Sequence, residues 1–343
     1  MIFINNKVCL IMSRNLWATA LACGALFTGA SAEAYAGCLV DHVTESDSTF
    51  PSTLQGKLAY HTYGSYGDGA SQIFIYDFAA RKVTQASSSS WGIQDPMNAV
   101  FSPDGQWLAF MGIKDDAWNI FMWRVDSADL PVNLTKSTGE TSNEDPKFSA
   151  DGTALFFKQD GDVIKAALSF ENDMPVFSSQ ANLTHSSSII ESSMPYPSAD
   201  GKLVFYAAGK ASGLMGVYRL TLATGKKVVF DKPNGLEAYY PTVRQDGRVF
   251  YSRWKDSGGA DQLYTKVNPS DKAEQLSIND CDSNNSDAFP VNGTDYVFFS
   301  STTEGKYQLY LGEVSTGKRW SLSSFHVNDD TDKETLGANY FGG

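Results

Sequence analysis

The chain has 343 residues, of which 42% are hydrophobic and 19% are charged, a balance typical of a globular protein and too apolar for a disordered one. Its net charge is −12, so the counterion release that drives binding to nucleic acid is missing. The composition therefore excludes an intrinsically disordered chain and argues against nucleic acid and anionic membrane surfaces as partners.

The first 36 residues have the features of a secretion signal. Arg14 supplies a short basic region, residues 16–30 form an apolar run, and small-x-small cleavage sequences end at Ala32 and Ala36. The run is shorter than the ~20 residues that span a bilayer, and no later apolar stretch approaches that length. We therefore expect residues 1–36 to be a signal peptide and the mature chain to be periplasmic or secreted, without a transmembrane segment.

Two of the four cysteines, Cys38 and Cys281, follow the predicted cleavage sites. An oxidising compartment permits one disulfide bond between them. Tyr-Ala-Gly-Cys at residues 35–38 also resembles a bacterial lipoprotein cleavage box, although Tyr35 stands where that box has an aliphatic residue. We expect the disulfide, with lipidation of Cys38 as the less favoured alternative.

A motif repeats through the rest of the chain. The plainest copies are Phe-Ser-Pro-Asp-Gly-Gln-Trp-Leu-Ala-Phe at residues 101–110 and Phe-Ser-Ala-Asp-Gly-Thr-Ala-Leu-Phe-Phe at residues 148–157. Weaker copies occupy residues 55–60, 197–206, 243–251 and 293–299. The residues that mark the six copies are spaced by 46 or 49 positions, and they are Pro51, Val100, Pro146, Pro195, Pro241 and Pro290.

Each repeat unit predicts about four short strands. Ser-Pro-Asp-Gly at residues 102–105 is a type I turn sequence, because Pro fixes φ at the second position and Gly closes the turn. The apolar run that follows, residues 108–111, fits a strand covered on both faces. Alternating apolar strands come next in each unit, at residues 72–76, 119–123, 163–166, 216–220, 262–266 and 308–311. Closing segments end several units, at residues 133–135, 182–184 and 274–277.

Four-stranded sheets repeated around an axis form a β-propeller, in which only short strand edges stay exposed. The predicted fold is all-β, a single six-bladed β-propeller with four-stranded antiparallel blades over residues 37–324. Residues 325–343 are predicted to be a C-terminal tail, a candidate for packing across the seam between the first and last blades.

At these motifs the sequence resembles the TolB-like propeller family, whose repeat has an apolar-Ser-Pro-Asp-Gly turn, an apolar strand, an Ile-Tyr-type strand and a closing Leu-Thr. The resemblance covers about residues 43–324. TolB itself carries an α/β domain ahead of its propeller, whereas here only residues 37–50 separate the predicted signal from the first repeat. Related propellers are interaction platforms, regulators of peptidases or, in a minority, polysaccharide lyases, so the resemblance does not choose among these functions.

The predicted ring places Cys38 and Cys281 on neighbouring blades, each ahead of a marker residue of an innermost strand, Pro51 or Pro290. A disulfide between them would tie the first blade to the last. Loop-entropy arguments put the stabilisation from such a long loop at roughly 4–5 kcal/mol as an upper value.

Acidic residues precede or begin each predicted innermost strand, where a propeller opens its central channel. They are Asp47, Asp95, Glu144, Asp145, Glu191, Glu237 and Asp287. Carboxylates that converge on one axis could bind Ca²⁺, another hard cation or a basic peptide of a partner. The alternative is that they accept backbone hydrogen bonds at strand starts and face water. No cofactor is required by this sequence, and Ca²⁺ is the one candidate.

Aromatic residues form a second candidate surface. Trp91, Trp118, Tyr239, Tyr240 and Trp254 fall in or beside the predicted connections. Their rings could stack on sugars or contact a partner protein, or they could pack between blades.

Support for catalysis is thin. The sequence contains no Gly-x-Ser-x-Gly, His-Glu-x-x-His or Cys-x-x-Cys. A lyase needs a base and a group that stabilises the enolate, and the available residues are His61, His185, Arg253 and Tyr239. The sequence therefore favours a non-catalytic exported propeller that binds an envelope protein or glycan at its channel mouth. The alternative is a lyase acting on an acidic polysaccharide.

Overall fold

The computed structural model describes residues 44–64, 67–139, 141–186, 190–210, 214–255, 259–325, 327 and 332–343. Within these ranges the chain forms 24 β-strands and three single-turn 3-10 helices, at Asp47–Thr49, Ser89–Trp91 and Ser323–Phe325. The strands make six four-stranded antiparallel sheets. This arrangement confirms the predicted six-bladed β-propeller.

The strands follow one another along the chain, blade by blade. Blade 1 contains β1 (Lys57–Tyr63), β2 (Gln72–Asp77) and β3 (Lys82–Gln85). Blade 2 contains β4 (Gln94–Phe101), β5 (Trp107–Lys114), β6 (Ala117–Arg124) and β7 (Val132–Asn133). Blade 3 contains β8 (Asn143–Phe148), β9 (Ala154–Gln159), β10 (Asp162–Glu171) and β11 (Met174–Asn182).

The second half of the ring repeats this order. Blade 4 contains β12 (Ile190–Pro197), β13 (Leu203–Lys210), β14 (Gly216–Thr221) and β15 (Lys226–Asp231). Blade 5 contains β16 (Leu236–Val243), β17 (Val249–Lys255), β18 (Gln262–Lys266) and β19 (Glu274–Gln275). Blade 6 contains β20 (Asn285–Pro290), β21 (Tyr296–Ser301), β22 (Gln308–Glu313) and β23 (Lys318–Ser321). The last strand, β24 (Glu334–Phe341), returns to blade 1.

The C-terminal strand closes the ring. β24 pairs antiparallel with β1, from Lys57 opposite Phe341 to Tyr63 opposite Glu334, and is the innermost strand of blade 1. The propeller therefore extends past residue 324, where the repeat motif ends, and Pro51 lies ahead of β1 rather than on an innermost strand. The sequence pattern did not reveal β24 because this strand follows the last copy of the repeat motif.

The turns between first and second strands have the predicted geometry. In the plainest copy the Gly105 N–H donates to the Ser102 carbonyl at 2.9 Å, which closes a four-residue turn. Gly105 has φ +69°, and the Asp104 carboxylate accepts the Gln106 N–H at 3.0 Å. The same pattern recurs at residues 149–152, 198–201 and 244–247.

The core lies between the blades. In β5, Leu108 and Phe110 pack toward blade 1, while Ala109 and Met111 pack toward blade 3. All four are at most 1% exposed. A strand with both faces covered needs a continuous apolar run, which is why this segment does not alternate.

Each innermost strand contains a bulge whose central residue has a left-handed backbone. We call these six residues the bulge ring, and they are Gly337, Asn98, Asp145, Met194, Tyr240 and Asp287, with φ between 50° and 69°. The innermost strands contact one another in sequence around the axis, so the bulge ring surrounds the central channel. A bulge turns side chains away from their regular direction, and here it does so at the same level in every blade.

Glycine is required at one position of the bulge ring. A Cβ on Gly337 would lie 2.6 Å from His61 Nδ1, whereas a Cβ on Gly201, which has nearly the same φ, would meet nothing within 4 Å. We therefore expect Gly337→Ala to lower the free energy of unfolding by about 1–3 kcal/mol more than Gly201→Ala does. In Gly201→Ala the only loss comes from placing alanine in a left-handed backbone conformation. Urea unfolding of both variants measures the difference, and equal losses would contradict the assigned clash.

Candidate functional site

The propeller has two unlike faces. Because the strands alternate in direction, the starts of the innermost strands and the loops from second to third strands share one face, which we call the mouth face. The Ser-x-Asp-Gly turns lie on the opposite face. Four of the predicted acidic residues fall at strand starts on the mouth face, and they are Asp95, Glu144, Glu191 and Glu237.

Charged and polar groups cross the channel at the level of the bulge ring. Asn98 Nδ2 donates to Asp145 Oδ1 at 2.8 Å, and the Gly337 N–H donates to Asp287 Oδ2 at 2.7 Å. Burial lowers the pKa of Lys147, while Asp145 and Asp287, from opposite blades, raise it. Carboxylates from two opposite sides of the ring therefore act on one ammonium at this level. A ligand that enters from the mouth meets this charged waist.

His61 lies behind the waist. Its side chain is buried, and burial together with the charge of Lys147 lowers its pKa to about 3. The imidazole is therefore neutral at physiological pH. Its Nδ1 faces the Asn98 N–H at 3.4 Å, and Gly337 packs against it.

On the side of blades 3 and 4, the acidic residues of the mouth are neutralised internally. Lys158 Nζ lies 2.8 Å from Glu191 Oε1 and 3.4 Å from Glu144 Oε1. Burial opposes the charged form of Lys158, but the two carboxylates raise its pKa above the ordinary value. Burial raises the pKa of Glu144, and Lys158 only partly offsets this. This half of the mouth therefore holds its own cation.

The side formed by blades 5, 6 and 1 is different. It carries a group that we call the acidic tyrosine cluster, made of Tyr63, Glu237, Tyr239, Asp261, Tyr307 and Glu334. Tyr239 Oη donates to Asp261 Oδ2 at 2.6 Å, and Tyr307 Oη lies 3.4 Å from the same oxygen. The Glu334 carboxylate accepts from the Tyr63 hydroxyl and the Tyr307 N–H.

Asp261 is the most perturbed acid of this cluster. Its side chain is 7% exposed, and Oδ1 is buried without a hydrogen bond from any residue that the structure describes. Burial raises its pKa to about 6, with a further contribution from Glu237, while the tyrosine hydroxyls oppose the shift. Burial also raises the pKa of Glu334. A carboxyl group that titrates near neutral pH in a cleft is a common feature of functional sites.

The raised pKa of Asp261 predicts a pH dependence of stability. Between pH 3.8 and about 6 the unfolded chain has released this proton while the folded chain retains it, so stability falls as the pH rises through this window. Asp261→Asn removes the penalty and should stabilise the chain by about 3 kcal/mol at pH 7, with no gain below pH 4.

Urea unfolding at several pH values measures this effect as the difference between the variant and the wild type. The difference is needed because His61 acts in the opposite direction, since its lowered pKa removes stability as the pH falls below 6.5. A variant that is no more stable than wild type at pH 7 would contradict the assignment.

Other predicted binding residues have local structural contacts. Asp95 is buried and accepts the Gly69 and Ser71 N–H groups at 2.9 and 3.1 Å, so it holds the loop between β1 and β2. Asp47 accepts from Ser324 Oγ at 2.9 Å near the chain termini. Asp95 therefore accepts backbone hydrogen bonds at a strand start, as in the alternative, whereas Asp47 lies in a 3-10 helix and accepts from a side-chain hydroxyl.

The aromatic candidates divide between core and mouth. Trp91 is buried against Phe110, and Trp118 packs partly buried on the core between blades 2 and 3. Tyr240 belongs to the bulge ring and stands edge-on to Tyr239 at 4.9 Å. Trp254 is partly exposed and lies opposite Glu237 in the β16–β17 pair.

The four lyase candidates occupy different environments. His185 is exposed in the loop between β11 and β12, while His61 is buried in β1. Arg253 donates from Nε and Nη2 to Asp231 at 2.8 and 2.9 Å and stacks over the Tyr264 ring. None of the contacts that the structure describes joins His61, His185 or Arg253 to Tyr239, the fourth candidate.

Several predictions concern the chain outside the described residues. The signal peptide, Cys38 and therefore its disulfide or lipidation lie there. Cys281 lies between β19 and β20. Across the described ranges, no group of three His, Cys, Asp or Glu side chains could hold a metal ion. The structure therefore offers no set of ligands there for the Ca²⁺ ion that the sequence suggested. None of the helices in those ranges is long and apolar enough to cross a membrane.

Sequence reasoning missed several residues of the mouth, among them Asp261, Tyr307, Glu334 and Lys158. Asp261 and Tyr307 hold equivalent places, each just ahead of a Gln-Leu-Tyr strand. This repeat position opens the third strand on the mouth face and was the available signal. Glu334 had no repeat signal because β24 lies outside the motif.

The ring, its closure by a C-terminal strand and its Ser-x-Asp-Gly turns define a TolB-like β-propeller fold. The structure is similar to TolB from Acinetobacter baumannii, with a TM-score of 0.62 and 16% identity, over 84% of this chain and 67% of that one. It is also similar to the structure titled putative TolB from Agrobacterium tumefaciens, with a TM-score of 0.57 and 14% identity, over 84% of this chain and 99% of that one.

A third similar structure is an oligogalacturonate lyase from Vibrio parahaemolyticus, with a TM-score of 0.50 and 13% identity, over 78% of this chain and 74% of that one. No family profile and no curated protein matches the sequence. At these identities the likenesses establish the fold.

Proposed function

We propose that this chain is an exported, non-catalytic β-propeller that binds a protein or glycan of the bacterial envelope through the mouth of its channel. The observation that carries the proposal is the acidic tyrosine cluster. Tyr239 and Tyr307 are partly exposed, and their hydroxyls are held by Asp261. Tyrosines fixed in this way offer a large amphipathic contact surface at low entropic cost.

The charged waist supports binding at the mouth rather than passage through the channel. Asp145 and Asp287 belong to the bulge ring, and Lys147 lies two residues after Asp145 on the same innermost strand. A partner segment that enters from the mouth face therefore meets charged side chains at this level. The exposed Ile190, at the start of β12, adds an apolar contact on the rim of the mouth.

The contacts of the lyase candidates favour a non-catalytic role. A lyase needs a base and a stabilising cation around one substrate carbon. Here Arg253 is held by Asp231, and His61 is buried beneath the bulge ring. The negative charge of the cluster also disfavours an acidic polysaccharide. New chain ends after incubation with acidic polysaccharides and Ca²⁺ would overturn this part of the proposal.

A photo-crosslinking amino acid tests the binding face. We would place it at Ile190 on the mouth face and, as the matched control in the same blade, at Lys202, an exposed residue on the opposite face. In envelope-containing cells we expect a discrete adduct from Ile190 and none from Lys202. Adducts from both positions, or from Lys202 alone, would contradict binding at the mouth.

The disulfide between Cys38 and Cys281 remains part of this proposal. Thr44 pairs with Arg319, whose Nη1 donates to the Ile278 carbonyl at 3.3 Å, three residues before Cys281. Six residues from Cys38 to Thr44 can span up to about 20 Å, so Cys38 can reach Cys281.

We expect Cys38→Ser and Cys281→Ser each to cost about 2–5 kcal/mol, and the double variant to cost no more than either alone, because both remove one bond. Peptide mapping with and without reductant identifies the bond directly. Additive losses in the double variant, or a lipid on Cys38, would contradict the pairing.

A further inference from the structure

We infer that the acidic tyrosine cluster binds one ammonium or guanidinium group, a Lys or Arg side chain of the partner that the proposed function requires. The inference rests on that function and names the chemistry of its ligand.

The first support is an unused carboxylate oxygen. Asp261 Oδ2 is engaged by the hydroxyls of Tyr239 and Tyr307, whereas Oδ1 is buried and accepts nothing within the described part of the chain. Leaving a buried acceptor unsatisfied costs about 1–3 kcal/mol, and more for a charged group. An N–H donor from a ligand would remove this cost.

The second support is the contrast with the other half of the mouth. There Lys158 lies between Glu144 and Glu191 and neutralises both. No Lys, Arg or His among the described residues forms an ion pair with Asp261, and Arg253 of the same blade is bound to Asp231. Lys306 acts on Glu334 at the edge of the cluster, but Asp261 lacks the paired cation that Glu144 and Glu191 have, and a partner can supply it.

The third support is the kind of side chain around the carboxylate. Tyr239 and Tyr307 flank Asp261, and Tyr240 packs edge-on against Tyr239. Tyrosine rings and carboxylates together attract an organic cation through the ring quadrupole and the charge. Glu237 adds a second negative charge near Asp261, whose pKa it helps to raise.

A metal ion fits this place less well. Both tyrosine hydroxyls approach the same oxygen of Asp261, which leaves the buried Oδ1 as the unsatisfied acceptor of that carboxylate. Hard divalent cations require several converging oxygens, and no group of three candidate side chains exists within the described ranges. A ligand that donates N–H groups matches one unsatisfied acceptor beside aromatic rings.

The test uses the purified chain with two small probes. Nα-acetyl-lysine amide carries a free ammonium, and Nα,Nε-diacetyl-lysine amide is its neutral match. Binding is followed by the shifts of ¹³C-labelled tyrosine signals in NMR spectra. The variants are Asp261→Asn and, as the control for overall charge, Glu274→Gln, which removes one exposed carboxylate from the outer strand of the same blade.

We expect the ammonium probe to bind the wild-type chain, Asp261→Asn to weaken binding about tenfold or more, and Glu274→Gln to change it by less than about twofold. The neutral probe should bind the wild-type chain only weakly. Its affinity should not exceed the affinity of the ammonium probe for the Asp261→Asn variant. Binding should weaken about tenfold from pH 7 to pH 5 in wild type only, because protonation of Asp261 competes with the cation. Asp261→Asn is expected to be more stable than wild type, so unfolding does not explain its loss of binding.

Equal binding of the two probes, or of the wild type and Asp261→Asn, would overturn the inference. The crosslink from Ile190 does not depend on Asp261 and reports on the proposed function separately. An Ile190 adduct without ammonium binding refutes the cation site and leaves the function standing. Ammonium binding with an adduct from Lys202 alone refutes the binding face and leaves the cation site standing.

Discussion

A chain that ends at residue 333 is expected not to fold into a propeller. This truncation removes β24, which pairs with β1 along its length and supplies Ala338 to the core between blades 6 and 1. It also removes Asn339 Oδ1, which accepts the Phe101 N–H at 2.9 Å in blade 2. Opening one seam of a ring exposes a strand edge and an apolar blade face at once. The resulting loss of folding free energy should exceed the ~5–15 kcal/mol that stabilises a typical domain.

Circular dichroism melting and size-exclusion chromatography measure this outcome. The matched control is a chain that ends at Phe341, since the two glycines removed there lie beyond β24 and are exposed. The control should melt like the wild type. Addition of a peptide with residues 333–343 should restore part of the folded signal of the short chain. A cooperative transition near the wild-type temperature without that peptide would contradict the closure by β24.

Asp231→Asn is expected to destabilise the chain by about 3–5 kcal/mol, because it leaves the buried Lys266 and the partly buried Arg253 without their counterion. Asp231 is 6% exposed. Its carboxylate lies 2.8 Å from Arg253 Nε and 3.5 Å from Lys266 Nζ. Lys266 also donates to the carbonyls of Phe230 and Pro269, so it is fixed in place and cannot turn to solvent. The asparagine keeps the shape but removes the charge and replaces one of the two accepting oxygens with an N–H donor.

The matched control is Asp126→Asn, which breaks a pair with Lys57 at 3.1 Å whose aspartate is 71% exposed. Exposed pairs contribute about 0–1 kcal/mol, so this variant should unfold almost as the wild type does. Urea denaturation of the two variants provides the comparison. Similar losses in both would show that the Asp231 network contributes no more than a surface ion pair.

The local features of the fold could be read from the sequence alone. The Ser-x-Asp-Gly turns, the doubly covered strand at Leu108–Met111 and the six-fold repeat depend on residues a few positions apart. Pro, Gly and apolar periodicity act over that distance, which is why the blade number and the four-stranded blades were predicted correctly, whereas the innermost strand of blade 1 was not. The acidic positions at the strand starts followed from the same repeat.

The functional arrangement was decided by tertiary structure. Asp261 meets Tyr239 across the sheet of blade 5, it meets Tyr307 only because the ring brings blades 5 and 6 together, and Glu334 joins them only because β24 returns to blade 1. The sequence likewise could not distinguish Glu144, which Lys158 neutralises, from Asp261, which has no such partner among the described residues. Charge type is a property of one residue, whereas the pairing and dehydration that set its chemistry depend on contacts between blades distant in the chain.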